Sequence, residues 1–290
     1  MPTVPIENGT LWYEERGDGP PLVCLHGGWQ NAESWRPQVN RFADEYRVVT
    51  FDLRGHGQTG PTDSRRYSID LFVDDLERLL AHLDIEQPIL CGISIGGMIV
   101  QSYLDSHPNG ARGAVIGGPL QSMPPISLPP GMKPLISPLP AIVGMVSTIG
   151  PTATFRTLLC SIRSTIGRPW LTVDPAVKSQ ALTALDDVSP DEYRKIFQAL
   201  YRFVPSDLSH VQTPILVLYG DHEAPPVKRQ GERLADTVSH GFRREIAHAG
   251  HLVNQDNPAL FNAACAGFFS NLDLLNSTGG ATDAIGSRSV

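Results

Sequence analysis

The chain has 290 residues, of which 41% are hydrophobic and 18% charged, and its formal net charge is −7. This length is enough for a large core in one domain with an insertion. The negative charge gives no attraction for nucleic acid or for an anionic membrane, so the expected partner is a small-molecule substrate, with no nucleic acid and no membrane.

The first ten residues, MPTVPIENGT, contain neither a basic leader nor an apolar segment, and no run in the chain reaches the length that spans a bilayer. The cysteines lack metal-ligand spacing and are expected to be free core thiols in a reducing compartment. They are Cys24, Cys91, Cys160 and Cys265. Together these features predict a cytoplasmic protein.

No cofactor is expected. The first strand is not followed by the Gly-x-Gly-x-x-Gly of dinucleotide-binding proteins, no Walker lysine occurs, and no cluster of His or Cys has metal-ligand spacing. We therefore expect no metal site.

Residues 1–118 alternate between predicted strands and helices. In order these are a hairpin around Asn8-Gly9, a strand over 22–25, a helix over 34–43, a strand over 46–51, a helix over 68–83, a strand at 89–91 and a strand over 111–118. The clearest helix is 68–83, where apolar residues recur every 3.6 positions. This alternation predicts a mostly parallel twisted sheet flanked by helices, with ligands bound beyond the carboxyl ends of its strands.

The alternation stops over 119–210, where prolines from Pro124 to Pro140 crowd among apolar residues. We interpret this region as an inserted cap, mainly helical after Pro140, that roofs an apolar pocket; a long irregular connection is the alternative.

The α/β pattern resumes over 211–272. Its predicted elements are a strand over 215–219, a helix over 227–238, a strand over 242–246 and a helix over 258–269. The sequence that follows becomes small and polar, so residues 273–290 are predicted to be a disordered tail.

The segment from Pro88 to Tyr103, PILCGISIGGMIVQSY, has the order strand, Gly-x-Ser-x-Gly, helix. In that context Ser94 lies at a tight, strained corner that closes only if Gly92 and Gly96 carry no side chain. A chance match to the motif occurs roughly one time in ten in a chain of this length. A serine hydroxyl also needs a base and an orienting acid to become nucleophilic.

Four further motifs accompany the serine, each beyond a predicted strand. They are His26-Gly27-Gly28-Trp29, Asp52-x-Arg54-Gly55-x-Gly57, Gly220-x-x-Glu223 and Gly250-His251. In this order the five motifs resemble the α/β-hydrolase superfamily, and the resemblance covers nearly all of the chain outside 119–210 and the tail. It implies an α/β-hydrolase fold and an esterase-like serine hydrolase with an inserted cap.

The resemblance implies His251 as the catalytic base, with His248 as the alternative. The acid is open between two carboxylates that follow the strand over 215–219. The family pattern points to Glu223, although aspartate is the commoner residue there, and Asp221 is the alternative. Either carboxylate would orient the His251 ring and stabilise its imidazolium.

The resemblance also implies an oxyanion hole made by the backbone N–H groups of Gly28 and Ile95. A donor of this kind typically lowers the barrier by about 3 kcal/mol. Gly28 is also expected to serve a tight turn that needs a positive φ, and the two roles are compatible. Trp29 either lines the acyl pocket or packs in the core. Other polar residues near the motifs are expected to support loops: His26, Asp52, Arg54 and His56.

The leading hypothesis is hydrolysis of a carboxylic ester of a small, partly apolar substrate through an acyl-Ser94 intermediate. Serine at position 94 disfavours dehalogenase and epoxide hydrolase activity, for which the family carries aspartate. Lactonase, thioesterase, amidase and carbon-carbon bond hydrolase activities use the same residues and stay open, as does a cofactor-free perhydrolase or lyase. The last alternative is a ligand receptor without turnover.

Overall fold

Eight strands form one sheet in the computed structural model, which describes residues 1–123, 125 and 137–277. The strands are β1 (Thr3–Ile6), β2 (Gly9–Arg16), β3 (Pro21–Leu25), β4 (Arg47–Phe51), β5 (Ile89–Ile93), β6 (Gly113–Gly117), β7 (Ile215–Gly220) and β8 (Gly241–Ile246). Their order in the sheet is β1-β2-β4-β3-β5-β6-β7-β8, and the pairs from β4 to β8 are parallel. The predicted mostly parallel sheet is confirmed.

The chain opens with the predicted hairpin. Strands β1 and β2 pair antiparallel with Ile6 opposite Gly9, so Glu7 and Asn8 form a two-residue turn. Asn8 has a φ of 60°, in the left-handed region that asparagine tolerates. Strand β2 then pairs antiparallel with β4, which joins the hairpin to the parallel strands.

Eleven α-helices and one short 3-10 helix (Ala32–Trp35) accompany the sheet within the described residues. The α-helices are α1 (Arg36–Phe42), α2 (Ile69–His82), α3 (Ile95–Ser106), α4 (Leu139–Ile149), α5 (Pro151–Ile166), α6 (Pro175–Asp186), α7 (Pro190–Arg202), α8 (Pro225–Thr237), α9 (Val253–Asp256), α10 (Pro258–Phe269) and α11 (Leu272–Ser277). No helix of this part of the chain is both long and apolar enough to cross a bilayer.

Strand side chains alternate between two apolar clusters, one on each face of the sheet. In β3, Val23 and Leu25 belong to the cluster that α2, α3 and α8 complete, whereas Leu22 and Cys24 belong to the cluster that α1 and α10 complete. Both sets are buried, as a parallel sheet covered on two sides requires. The apolar run in β3 is continuous for this reason.

Helices α4 to α7 lie between β6 and β7 in the chain, and the helical character predicted after Pro140 is observed. Residues Tyr193, Ile196 and Leu200 of α7 join the same apolar cluster as the sheet, so these helices have no separate core. We call α4 to α7 the helical insertion. The division of the chain at 119 and 210 stays a prediction, and residues 124 and 126–136 of that region lie outside the described residues.

A buried polar contact also attaches the helical insertion to the loop after β4. The Tyr67 hydroxyl donates to Glu192 Oε2, and Lys195 Nζ donates to Glu192 Oε1 at 2.8 Å. Both Glu192 and Lys195 are buried at the base of α7. The hydroxyl and the ammonium therefore satisfy a carboxylate that would otherwise be costly to bury.

Two sequence predictions are corrected. Residues 273–277, predicted as disordered tail, lie in α11, because Leu272 and Leu275 are buried against the second cluster; residues 278–290 lie outside the described residues. Cys160, predicted as a core thiol, is exposed on α5, whereas the other three cysteines are buried free thiols as predicted.

Arg54, in the loop after β4, forms a fully buried ion pair with Asp75 of α2. Its Nε and Nη2 donate to the two carboxylate oxygens at 2.6 Å and 2.5 Å, and its Nη1 donates to Ser64 Oγ at 2.8 Å and to the Glu7 carbonyl at 3.2 Å. The guanidinium therefore joins the loop, α2 and the opening hairpin. The predicted loop-supporting role of Arg54 is confirmed.

We expect Asp75→Asn to lower the free energy of unfolding by about 3–5 kcal/mol, because it leaves the buried guanidinium without its counter-charge. Urea unfolding at pH 7 measures this loss. Asp74→Asn, at the exposed neighbouring position of α2, is the matched control and should change stability by less than about 0.5 kcal/mol. Equal effects of the two substitutions would contradict the argument.

Candidate active site

Ser94 lies at the corner between β5 and α3 with φ 55° and ψ −111°. A conformation of this kind costs a non-glycine residue about 1–3 kcal/mol. The Ser94 N–H donates to the Gly117 carbonyl at 2.9 Å, and the Ser94 carbonyl accepts from the Met98 N–H at 3.0 Å. These bonds hold the strained residue between β6 and the first turn of α3.

Two glycines let α3 approach the sheet at this corner. A Cβ on Gly92 would lie 2.4 Å from the carbonyl carbon of Gly96, and a Cβ on Gly96 would lie 2.2 Å from the carbonyl oxygen of Leu25. Backbone atoms cannot withdraw from such contacts without moving the helix. The corner therefore excludes side chains at positions 92 and 96.

Ser94 lines a cavity of about 630 Å³, a size suited to a small ligand. The other walls come from the loop after β3, the start of α8, the loop before α9 and the helical insertion. Large apolar side chains dominate them, among them Trp29, Phe155, Ile162, Trp170, Leu171 and Leu200. The ionisable residues among the described lining are His251 and Arg229.

His251 lines the same cavity and is 4% exposed. Its Nδ1 lies 2.6 Å from Glu223 Oε2, and its backbone N–H donates to the Trp170 carbonyl at 2.7 Å. With Nδ1–H donating to the carboxylate, Nε2 is left to accept a proton. Within the described residues no direct hydrogen bond joins Ser94 to His251, and catalytic contacts of this kind are often loose before substrate binds.

The two candidate carboxylates have different partners. Glu223 is fully buried; its Oε2 accepts from His251 and its Oε1 accepts from the Ala224 N–H at 2.8 Å. Asp221 instead accepts from the Ala249 N–H at 3.0 Å. Partial burial alone raises the pKa of Asp221, but hydrogen bonds from the backbone of Ala249 and His248 together lower it below its usual value.

The geometry thus brings Glu223 and not Asp221 to the His251 ring. The alternative base, His248, is exposed and is not among the residues that line the cavity.

The two expected oxyanion donors lie beside Ser94. Gly28 lines the cavity and Ile95 is the first residue of α3. Neither backbone N–H has an acceptor among the described residues. Gly28 does lie in a tight turn, which the Gln30 N–H closes by donating to the Gly27 carbonyl at 3.2 Å. The expected positive φ is not at Gly28, however: it belongs to Trp29, at 59°, and a Cβ on Gly28 would come no closer than 3.6 Å to its neighbours.

Both interpretations of Trp29 hold. The indole lines the cavity and also stacks on Tyr193 of α7, with ring centroids 4.7 Å apart and an angle of 16° between the planes. Its backbone N–H donates to His56 Nε2 at 2.9 Å. Trp29 is therefore fixed by the loop after β4 on one side and by the helical insertion on the other.

Two buried histidines support the loop that carries Gly28. His26 Nε2 accepts from the Leu53 N–H at 3.0 Å, as His56 Nε2 accepts from Trp29, so both rings must be neutral. Burial lowers the pKa of His26 to about 4. Burial, with repulsion from His26 once that ring is protonated, lowers the pKa of His56 to about 3. Asp52 holds the same region by accepting from the Ala32 N–H at 2.7 Å.

Several residues of the site carry no recognisable signal in the sequence. Gly118, after β6, has a φ of 53°, and a Cβ there would lie 2.9 Å from His251 Cε1, so its missing side chain makes room for the ring. Trp170 contacts the ring from the helical insertion, with centroids 5.2 Å apart. Asp256 accepts from the N–H groups of Gly250 at 2.7 Å and Val173 at 3.1 Å. Each would pass for an ordinary core or loop residue.

Within the described residues no cluster of His, Cys, Asp or Glu could hold a metal ion. The site combines a hydroxyl on a strained corner, an imidazole backed by a buried carboxylate, and two backbone N–H groups without an acceptor among the described residues.

A serine on a strand-to-helix corner, above a parallel sheet and next to a carboxylate-backed histidine, defines the class of hydrolases with a nucleophile elbow. The family model for the alpha/beta hydrolase fold matches residues 20–258. The chain belongs to this family and is an α/β hydrolase.

Individual relatives have different activities. A non-heme chloroperoxidase of Kitasatospora aureofaciens is 34% identical over 137 residues, which cover 46% of this chain and 48% of that protein. Carboxylesterase YbfK of Bacillus subtilis is 24% identical over 262 residues, covering 87% of this chain and 80% of that protein.

A solved structure of a thermophilic esterase from Thermogutta terrifontis matches 93% of this chain and 98% of that chain with a TM-score of 0.78. At 21% identity this likeness shows the fold.

We expect Glu223→Gln to lower kcat by about 10⁴-fold, because the amide no longer orients His251 or stabilises its charged form. Asp221→Asn is the matched control and should leave kcat close to the wild-type value, since Asp221 contacts backbone and not the ring. Steady-state rates of both variants on one ester decide the question. The reverse ranking would assign the acid to Asp221.

The free energy of unfolding should fall as the pH is lowered from 6.5 to 4. The unfolded chain protonates His26 and His56 near pH 6.5, whereas the folded chain does so only near pH 4 and 3, so each histidine costs about 1.4 kcal/mol per pH unit in that window. Above pH 6.5 both are neutral in either state and contribute no slope. Urea unfolding at several pH values measures this dependence.

His56→Gln keeps an acceptor for Trp29 but does not titrate, so its stability profile should be shallower than the wild-type profile by about 1.4 kcal/mol per pH unit. Parallel profiles for the two proteins would show that His56 takes up its proton equally in both states.

Proposed function

We propose that this α/β hydrolase is a serine esterase that cleaves a carboxylic ester of a small, partly apolar substrate. The observation that carries the proposal is the buried Glu223–His251 pair, 2.6 Å between Oε2 and Nδ1, in the cavity that Ser94 lines. The cavity offers a base, a nucleophile and free backbone donors in an apolar surrounding. These are the components that acyl transfer requires.

In the first half of the reaction Ser94 Oγ attacks the ester carbonyl while His251 Nε2 takes the hydroxyl proton. Charge develops on the carbonyl oxygen, where the N–H groups of Gly28 and Ile95 stabilise it. The tetrahedral intermediate collapses, the bond to the leaving alcohol breaks, and His251 returns the proton to the departing oxygen. The product of this half is acyl-Ser94 and the free alcohol.

In the second half a water molecule takes the place of the alcohol. His251 removes its proton, the hydroxide adds to the acyl carbon, and the same two donors hold the oxyanion. Collapse breaks the bond to Ser94 Oγ, which recovers its proton from His251, and the carboxylic acid leaves. Glu223 keeps the imidazole in one tautomer throughout and does not itself accept the proton.

The walls of the cavity support an apolar acyl or aryl group in the substrate. Trp29, Phe155 and Ile162 face the site from the loop after β3 and from α5. We further propose that residues 119–210 act as a cap, because the helical insertion contributes Phe155 and Ile162 to these walls and excludes water from the acyl group.

Initial rates on 4-nitrophenyl esters from acetate to dodecanoate test the proposal. We expect activity in the wild type, with the preferred chain length set by the depth of the cavity, and a loss of at least about 10³-fold in Ser94→Ala. The variant should unfold at the same temperature as the wild type, because Ser94 makes its structural bonds through the backbone.

Full activity in Ser94→Ala would exclude acyl-serine chemistry at this site. Labelling of Ser94 by a fluorophosphonate without turnover of any ester would also overturn the esterase proposal. It would show that the nucleophile is active and that the substrate is of another kind, with lactones and thioesters next to be tested.

The likeness to a non-heme chloroperoxidase favours a second reaction at the same residues. Hydrogen peroxide would replace water in the second half: it adds to the acyl carbon, the bond to Ser94 breaks, and a peroxycarboxylic acid leaves while Ser94 recovers a proton. Adding peroxide to the ester assay separates the two reactions, because only the second converts the acyl group into a peracid.

A further inference from the structure

A second cavity, of about 500 Å³, lies within the helical insertion. It is bounded by α5, by α6 and by the segment 169–175 that joins them. Its volume falls in the range of small-molecule sites, about 300–1,000 Å³. It is distinct from the cavity that Ser94 and His251 line.

Three cationic side chains converge on this second cavity: Arg156 and Arg163 of α5 and Lys178 of α6. Within the described residues none of the three forms an ion pair or a side-chain hydrogen bond. Arg156 and Arg163 are seven residues apart on one helix and therefore share a face. Lys178 faces them from the opposite wall.

The one acid in the lining is already occupied. Asp174 Oδ1 accepts from the Ala176 N–H at 2.7 Å and so caps the start of α6. Asp256, which lies close by, is engaged by the N–H groups of Val173 and Gly250 and by the hydroxyl of Thr172. The carboxylates keep their charge in these bonds but form no ion pair with the three cations, which outnumber the one acid of the lining. The electrostatic field in the cavity therefore favours an anion.

The rest of the lining is apolar. Leu159, Leu171, Val173 and Leu182 form the floor with the indole of Trp170. An inorganic anion would contact the cations but leave this surface in water, and an uncharged hydrocarbon would leave the cations unused. The lining fits a molecule with one anionic end and an apolar body.

We propose that the second cavity binds an amphipathic carboxylate, such as the anion of a medium-chain fatty acid. The carboxylate accepts hydrogen bonds from Arg156, Arg163 and Lys178, and the alkyl chain lies on the apolar floor. This binding does not depend on the reaction at Ser94 and stands whether or not the protein is an esterase.

The position of the site places its ligand next to the catalytic histidine loop. Trp170 and Leu171 line both cavities. Their carbonyls accept from the N–H groups of His251 and Leu252, at 2.7 Å and 2.9 Å. One two-residue segment is therefore the wall between the ligand and the base.

Cys160 gives the proposal a direct readout. Its thiol lines the second cavity and is exposed, whereas Cys24, Cys91 and Cys265 are buried, so a neutral alkylating reagent reports on this cavity alone. We would measure the rate at which iodoacetamide modifies Cys160, by mass spectrometry of the peptide that contains it, as octanoate is added to the whole protein.

Octanoate should slow the modification of Cys160 saturably and at least fivefold, and 1-octanol at the same concentration should not. The double variant Arg156→Gln, Arg163→Gln should need about tenfold more octanoate for half-protection, as the loss of two partly exposed charged contacts predicts. Each protein is compared with its own rate without ligand, which removes any effect of the substitutions on the thiol.

Arg233→Gln is the control for a loss of positive charge, because Arg233 is exposed on α8 and lines neither cavity. It should keep wild-type protection. Ser94→Ala should also keep it, because Ser94 lines the other cavity, and octanoate bound there would not cover Cys160. The proposal would be overturned if octanoate did not slow the modification of Cys160, or if 1-octanol slowed it equally. It would also be overturned if the double variant needed no more octanoate than the wild type.

Discussion

The site depends on the strained corner at Ser94. A serine with φ 55° persists only where the surroundings fix it, and here the Gly117 carbonyl and the first turn of α3 do so through the backbone. The corner also requires α3 to touch the backbone of β3, which is possible because Gly96 has no side chain. Ser94 is thus positioned by the packing of the sheet, through its backbone and not through its hydroxyl.

The loop that carries His251 is held by contacts from the sheet and also from the helical insertion. The sheet supplies Glu223 after β7, whereas the helical insertion supplies the Trp170 carbonyl. Asp256 joins the two by accepting from Gly250 and from Val173. The position of His251 therefore depends in part on the docking of the helical insertion, and α7 docks through buried apolar residues and through Glu192. The geometry of the His251 loop and the position of the helical insertion are coupled for this reason.

The sequence predicted the elements that depend on local physics. Continuous apolar runs mark buried strands, and the glycines around Ser94 mark a corner that nothing larger can form. The sequence did not decide between Glu223 and Asp221, because the two carboxylates follow the same strand two residues apart. Only the fold shows that the Asp221 carboxylate accepts from the Ala249 N–H. The sequence could not predict Trp170, Asp256 or Gly118 as parts of the site. Their roles arise from contacts between segments far apart in sequence, made by residue types that are common everywhere.

The sheet and the helical insertion contribute different parts of the site, and this limits which substitutions can change the substrate that fits. The sheet and the loops that follow its strands fix Ser94, Glu223 and the N–H groups of Gly28 and Ile95. The helical insertion supplies most of the apolar wall, yet two of its residues, Trp170 and Leu171, also bind the backbone of the histidine loop. A substitution in α5 can reshape the pocket while leaving His251 in place. A substitution that moves the segment around Trp170 changes the pocket, the second cavity and the position of His251 together, so binding and turnover cannot be adjusted separately there.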